Sequence, residues 1–169
     1  MHPHETDAVD TIVDEWTRAR PDLDFSPLSV FSRVKRISRQ LEVVRKRAFA
    51  EVGLELSEFD VLSALRRSGE PYALTPKQLL ASNLVSSGTM TYRIDRLVES
   101  GLVVREDDPA DGRSVLVRMT PEGRQRVDAA IKGLLEREVV LLADVTDEEF
   151  RVLERGLREL SLAMTDDAN

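Results

Sequence analysis

The chain has 169 residues, enough for one domain with helical extensions. Charged residues make up 33% of it and hydrophobic residues 41%, and the formal net charge is −7. This balance excludes a disordered chain, and no apolar run approaches the roughly 20 residues that span a bilayer, so we expect no membrane partner. The acidic charge argues at first against a nucleic-acid partner, because phosphate affinity comes mainly from lysine and arginine.

Cysteine is absent, which excludes a disulfide framework, a thiolate zinc site and a thiol redox switch. The only histidines, His2 and His4, could bind a metal as a pair, but a solvated chain terminus is the favoured interpretation. We therefore expect no metal and no cofactor. The first residues lack the basic and apolar regions of a signal peptide, so we expect a cytoplasmic protein.

The amino-terminal third predicts two helices. Val9, Ile12, Val13 and Trp16 share one helical face, and Arg20-Pro21 ends that helix. Ser26-Pro27 is typical of an N-cap followed by proline, and an apolar helical period then runs over 28–52, up to a stop at Gly53. Basic residues from Arg33 to Arg47 lie between the apolar positions. A solvated helix face is favoured for them over a patch that contacts phosphates.

Three shorter helices follow. Ser57 is the predicted cap of the first, which ends at Ser68-Gly69, and Thr75-Pro76 begins the second. After a turn over 81–84, Ser86 begins the third, which stops at Gly101. Such a set of helices with a tight turn before the last is a helix-turn-helix pattern.

The apolar period changes from about 3.6 to 2 after Gly101. Residues 102–105 and 114–119 are β-prone, and the segment between them is rich in Asp, Pro and Gly, which predicts a hairpin. A hairpin directly after a helix-turn-helix makes a winged helix-turn-helix. The predicted fold class is therefore mainly α with a small β-hairpin wing.

Two amphipathic helices are predicted to close the chain. Thr120-Pro121 caps one, and Thr146 with Glu149 forms the capping box of the other. We interpret 1–169 as one chain with amino-terminal scaffold helices over 7–52, a winged region over 53–119 and carboxy-terminal helices over 120–169. The terminal helices are predicted to form a homodimer, with an intrachain helical hairpin as the alternative.

The wing and its surroundings carry a resemblance to a known family. Residues 102–105, 108–114 and 117–123 resemble the wing signature of the MarR family of bacterial transcriptional regulators. The tryptophan-bearing first helix, Phe59-Asp60-Val61-Leu62 and the stretch 87–97 are similar to the branch that includes urate-responsive, PecS and trans-aconitate-responsive regulators. The resemblance implies a dimer that binds double-stranded operator DNA, with one recognition helix per subunit in the major groove.

DNA contacts follow from that implied docking. The recognition helix offers short hydroxyl donors near its start and longer side chains one turn later, namely Ser86, Ser87, Thr89, Thr91, Tyr92, Arg93 and Arg96. In the wing, Arg113 is the candidate for the minor groove, and Asp111 would orient its guanidinium.

An effector site is also implied by the resemblance. The tryptophan, aspartate and two arginines that form it in the urate-responsive branch fall on Trp16, Asp60, Arg93 and Arg105. Such a set suits a small planar anion, which two arginines can pair with while the tryptophan packs on its face. Simpler roles remain open: a core or dimer aromatic for Trp16, a helix-cap partner of Ser57 for Asp60, DNA contact alone for Arg93, and pairing with Glu106 or Asp107 for Arg105.

The predicted function is a ligand-responsive DNA-binding repressor, nucleoid-associated when bound to DNA, which a small anionic ligand such as urate or a related organic or phenolic acid releases from its operator. A ligand-independent or architectural DNA-binding protein is the first alternative, and a protein-interaction module that keeps the winged shape without binding DNA is another. An enzyme is not expected, since the sequence offers no glycine-rich phosphate loop and no nucleophile with a usable base.

Overall fold

The computed structural model describes residues 6–83, 86–109 and 111–166, and for 111–113 and 166 it describes the backbone only. His2 and His4 lie outside these ranges. The described chain forms seven helices and three strands, in the order α1 (Ala8–Ala19), α2 (Ser26–Ala50), α3 (Leu56–Arg67), β1 (Ala73–Leu74), α4 (Pro76–Ser82), α5 (Ser87–Glu99), β2 (Val103–Asp108), β3 (Asp111–Met119), α6 (Pro121–Leu141) and α7 (Asp147–Asp166). No helix in these ranges has an apolar stretch long enough to cross a membrane.

The chain divides into two compact units. The first comprises the described residues within 1–33 and 137–169, and the second comprises those within 34–136. The second unit holds α3, α4, α5 and the sheet, which together are the predicted winged helix-turn-helix. The fold class expected from the sequence is therefore confirmed: mainly helical, with a small antiparallel sheet.

The core of the winged unit lies between its helices and the base of its sheet. Fully buried side chains from α3, α5 and both long strands meet there, including Leu62, Leu65, Ile94, Leu97 and Val117. Phe49 of α2 stacks on Phe59 of α3 with ring centroids 4.0 Å apart. This packing holds α5 by its apolar face and leaves the opposite face exposed.

The wing is longer than the sequence predicts. β2 and β3 pair in antiparallel register from Val103 with Met119 to Asp107 with Val115, so the charged residues after Arg105 are part of the ladder and not of a loop. β1 was not predicted. It pairs with β3, Ala73 opposite Arg118, in a sheet of order β1-β3-β2.

Most predicted helix starts are confirmed. Thr75, Ser86 and Thr146 each accept a backbone N–H through the hydroxyl, three residues before its donor. Thr120 does the same for Gly123 at the start of α6. The prediction for Ser57 was wrong: Glu55 is the N-cap of α3, and Glu58 accepts from the Glu55 N–H at 2.9 Å. Glu58 is therefore the capping-box partner, and Asp60 is free of that role.

Charge ties α1 to the start of α2. Asp7 caps α1 and, with Asp10, binds Arg33 of α2 at 2.9 and 2.7 Å. These contacts hold the pKa of both carboxyl groups below the ordinary value, chiefly through their hydrogen bonds with Arg33. Ser26 is the first residue of α2 and donates to Asp24, so that helix begins one residue earlier than predicted.

Candidate DNA and effector interface

The start of α5 carries the hydroxyl side chains predicted to contact DNA. The Ser86 side chain accepts from the Thr89 N–H at 3.3 Å and shares a hydrogen bond with the Thr89 hydroxyl at 2.9 Å. Thr91 donates to the Ser87 carbonyl at 3.1 Å. All four residues are exposed. A helix start with exposed hydroxyls and free backbone N–H groups can bind a phosphate.

One turn later the exposed face of α5 presents Tyr92, which is 65% exposed. Arg96 points toward the start of α3, where its guanidinium lies 3.4 Å from Glu55 and 3.9 Å from Glu58. Its side chain stays 45% exposed. Arg96 therefore links α5 to α3 while part of it remains accessible to a phosphate.

Arg93 turns away from the exposed face. Its side chain is 17% exposed, and its guanidinium lies 3.5 Å from the Asp60 carboxylate of α3. Two of the four residues predicted for the effector site are thus neighbours. The pair joins the inner side of the recognition helix to the helix behind it.

A cavity of about 500 Å³ opens beside this pair. Asp60 and Arg93 line it together with Lys46 of α2 and Ser57 of α3. Glu42 and Glu55 add two further carboxylates to its wall. The cavity is large enough for a one- or two-ring ligand, and it presents cations and hydrogen-bond acceptors on facing elements.

Lys46 was missed as a site residue by sequence reasoning. It fell in a basic run for which a solvated helix face was favoured, and its ion pair with Glu42 at 3.3 Å supports that interpretation. Its place in the cavity wall depends on how α2 packs beside α3, which helical periodicity does not report.

Arg105 binds a carboxylate outside the set of residues with which it was grouped. On β2, its guanidinium donates to the Asp95 carboxylate of α5 at 2.6 Å. The simpler role considered for it, pairing with Glu106 or Asp107, is not what the structure shows, since Glu106 instead binds Arg118 at 2.7 Å. The contact joins the recognition helix to the wing.

Trp16 belongs to the first unit. Its ring stacks on Phe25 with centroids 5.7 Å apart, and the residue is 49% exposed. An indole this exposed is not a core residue of the single chain. Its free area suits contact with a ligand or with a second subunit.

The wing tip is described only in part. Asp111 and Arg113 lie on β3, at the end of the hairpin. Their side chains lie outside the described part of the structure. The roles predicted for them remain predictions.

Comparison with known proteins agrees with this arrangement. A model of the MarR family matches residues 52–114, which cover α3, the helix-turn-helix and most of the wing. The chain is 34% identical over 141 residues to the HTH-type transcriptional regulator PecS of Dickeya dadantii, covering 83% of this chain and 85% of that protein. It is 25% identical to the HTH-type transcriptional repressor YetL of Bacillus subtilis, covering 88% of each.

A solved structure of a regulator with a described ligand has a similar fold. BpsR of Bordetella bronchiseptica, whose DNA binding is described as regulated by 6-hydroxynicotinic acid, superimposes with a TM-score of 0.66 at 25% identity. The match covers 82% of this chain and 96% of BpsR.

Proposed function

Since the chain belongs to the MarR family of transcriptional regulators, we propose that it is a homodimeric repressor that leaves its operator when a small planar anion binds behind the recognition helix. The observation that carries the proposal is the Arg93–Asp60 pair, 3.5 Å apart, at the wall of a cavity of about 500 Å³. One end of this pair is on the helix that would read DNA. The other is on the helix that supports it.

The DNA side of the proposal rests on the exposed face of α5. Its hydroxyl-rich start suits a phosphate, and Tyr92 is accessible for a base edge or the backbone. We propose that α5 enters the major groove and that the β2–β3 hairpin reaches the flanking minor groove, with Arg113 as the side chain that enters it.

The ligand side follows from charge. A planar anion in the cavity competes with Asp60 for the Arg93 guanidinium, because a carboxylate or ring oxyanion makes the same charge-assisted hydrogen bonds. We propose that Arg105 supplies a second cation and Trp16 a stacking surface. The anion releases the operator because it binds the arrangement with a displaced Arg93 better than the DNA-competent one. The regulation of BpsR by 6-hydroxynicotinic acid supports a heteroaromatic acid as the class of ligand.

The homodimer is proposed from the apolar surface of the first unit. In its described residues Val9 is the buried hydrophobic side chain, whereas Phe150, Leu153, Leu157 and Met164 of α7 are each 45–59% exposed. Apolar side chains spaced along one helical face need a partner surface. A second copy supplies a matching one, and two recognition helices then reach two half-sites.

A gel-shift titration tests the proposal. The probe is the promoter DNA adjacent to the protein's own gene, and the added anions are urate, trans-aconitate and 6-hydroxynicotinate. We expect a retarded complex that at least one of these anions releases. A complex that none of them changes would favour a ligand-independent DNA-binding protein, and no complex at any salt concentration would favour an interaction module.

Two variants separate the ligand site from the DNA face. Trp16→Phe keeps a ring on Phe25 but has less stacking area, so we expect about 2- to 10-fold weaker response to the anion with unchanged DNA affinity. Arg105→Gln is expected to weaken the response as well. Lys132→Gln, a charge change at an exposed position of α6, is the control and should leave both measurements unchanged. A normal dose–response curve for Trp16→Phe would remove the indole from the site.

A further inference from the structure

Arg105 already holds a carboxylate. Its guanidinium donates to Asp95 at 2.6 Å, a distance at the short end for a charge-assisted bond. Among the described residues, each of these two side chains has the other as its ion-pair partner. The two are 42% and 47% exposed, so an anion from solution can approach them.

The Asp95 pair differs from the Asp60 pair in geometry and in the elements it joins. Arg93 and Asp60 are 3.5 Å apart and tie α5 to α3, whereas Asp95 and Arg105 are 0.9 Å closer and tie α5 to β2. The proposed ligand thus faces one arginine with a loose partner and one with a tight partner. The tight partner lies on the recognition helix itself.

We propose that Asp95 is an internal competitor for the effector: the bound anion takes its place on Arg105 and so releases the recognition helix from the wing strand. This inference rests on the proposed function, since it deepens the same anion site. Asp95 is a positioning residue, because it acts through Arg105 and does not contact the ligand.

The competition has a thermodynamic consequence. If anion and Asp95 exclude each other on Arg105, the free energy of the Asp95–Arg105 pair is subtracted from ligand binding and is recovered when Asp95 is neutralised. Exposed ion pairs stabilise weakly, so Asp95→Asn is expected to bind the anion about two- to fivefold more tightly than the wild type. A merely structural role would predict weaker binding or none of this gain.

The test is isothermal titration of the full-length, DNA-free protein with urate and with 6-hydroxynicotinate. Asp107→Asn is the matched control, because it also removes one negative charge. Asp107 lies on β2, two residues after Arg105, and has no described contact with the Arg105 guanidinium. Its affinity should equal that of the wild type. Asp95→Glu, which keeps the carboxylate, should restore wild-type affinity and guards against a folding defect in the asparagine variant.

A double variant removes the remaining ambiguity. In the Arg105→Gln background, Asp95→Asn should no longer change the affinity, because the residue for which the two carboxylates compete is gone. A gain that persists there, or one that Asp107→Asn reproduces, would show a general charge effect and overturn the inference. If the wild type binds a probe and Asp95→Asn binds it no better, only the inference falls. If neither protein binds either probe, the proposed anion site fails and the inference with it.

Discussion

Arginines near the start of the chain lower the pKa of neighbouring carboxyl groups. Asp7 and Asp10 share Arg33, and Asp22 has its own partner in Arg20 at 2.6 Å. Each arginine favours the ionised carboxylate and so lowers its pKa. Because these pKa values are lower in the folded protein, the ion pairs stabilise it above the ordinary carboxyl pKa, and that contribution disappears as the pH falls through the lowered values.

Arg33→Gln is expected to raise the pKa of Asp7 and Asp10 toward the ordinary value, because their cation is removed. Side-chain NMR titration of the carboxyl carbons measures this directly. Asp22 is the internal control, since its partner is Arg20 and its pKa should not move. Unchanged values for Asp7 and Asp10 would mean that their backbone hydrogen bonds dominate.

Gly123 is a residue whose side chain has no room. A Cβ there would lie 2.2 Å from the Leu102 carbonyl oxygen, where α6 begins beneath the wing. Gly123→Ala is therefore expected to lower the free energy of unfolding by about 1–3 kcal/mol. A Cβ added at Gly156 in α7 would have no heavy atom within 4 Å. Gly156→Ala should therefore raise the free energy of unfolding by about 0.5–1 kcal/mol. Urea unfolding at one protein concentration compares them, and equal effects would contradict the steric argument.

At the scale of elements, the recognition helix is held by ionic contacts on two sides. Arg93 and Arg96 bind the first turns of α3, and Asp95 binds β2. The face proposed to contact DNA carries small hydroxyl side chains that bond within the helix. These ion pairs add to the apolar packing of α5, and an anion or a salt can compete with them, as the proposed release from DNA requires.

Glu58 connects two of these elements. It is 7% exposed, accepts from the Glu55 N–H at 2.9 Å and lies 3.9 Å from Arg96. Glu58→Ala leaves the N–H without its acceptor and is expected to cost about 1 kcal/mol in the free energy of unfolding. Glu58→Gln keeps the acceptor and should cost clearly less. Equal losses in urea unfolding would assign the effect to the charge and not to the cap.

Helix starts were the most accurately predicted features. The hydrogen bond between a Ser or Thr hydroxyl and the backbone N–H three residues later depends only on local chain geometry. Ser57 was the exception: Glu55, two residues earlier, caps α3 with Glu58 as partner. A capping box accepts several residue types, and neighbouring positions then compete. Strand β1 was missed because two residues carry no alternation, and only pairing with β3 makes Ala73-Leu74 a strand. Tyr72, with a φ of 56°, directs its carbonyl to the Met119 N–H and begins that pairing.

At the scale of the whole molecule, the exposed apolar face of α7 predicts the oligomeric state. Leu153→Asp combined with Leu157→Asp places two charges on that face. We expect this variant to be a monomer and the wild type to be the proposed dimer, measured by light scattering after gel filtration. Arg155→Asp reverses a charge on the opposite side of the same helix and should leave the dimer intact. A dimer that survives the double substitution would place the interface elsewhere.

The acidic net charge has a different weight in the folded protein. Between Ser86 and Arg118 five arginines face six acidic residues by count, yet Asp95 and Glu106 are each paired with an arginine of the same unit. An overall charge of −7 then implies weak non-specific affinity for DNA and reliance on a few placed contacts.

The sequence by itself determined the helices, the two wing strands and their order, since helix caps, apolar periods and turn residues act over a few neighbouring positions. It also indicated the winged helix-turn-helix and the family to which the chain belongs. The tertiary structure decided which charges meet: Arg93 with Asp60, which the family resemblance had only grouped in one site, Arg105 with Asp95, and Arg96 with the start of α3. These partners are 10 to 41 residues apart in the chain. Their pairing depends on how helices and strands pack, and a one-dimensional pattern contains no information on the distance between two long side chains on separate elements.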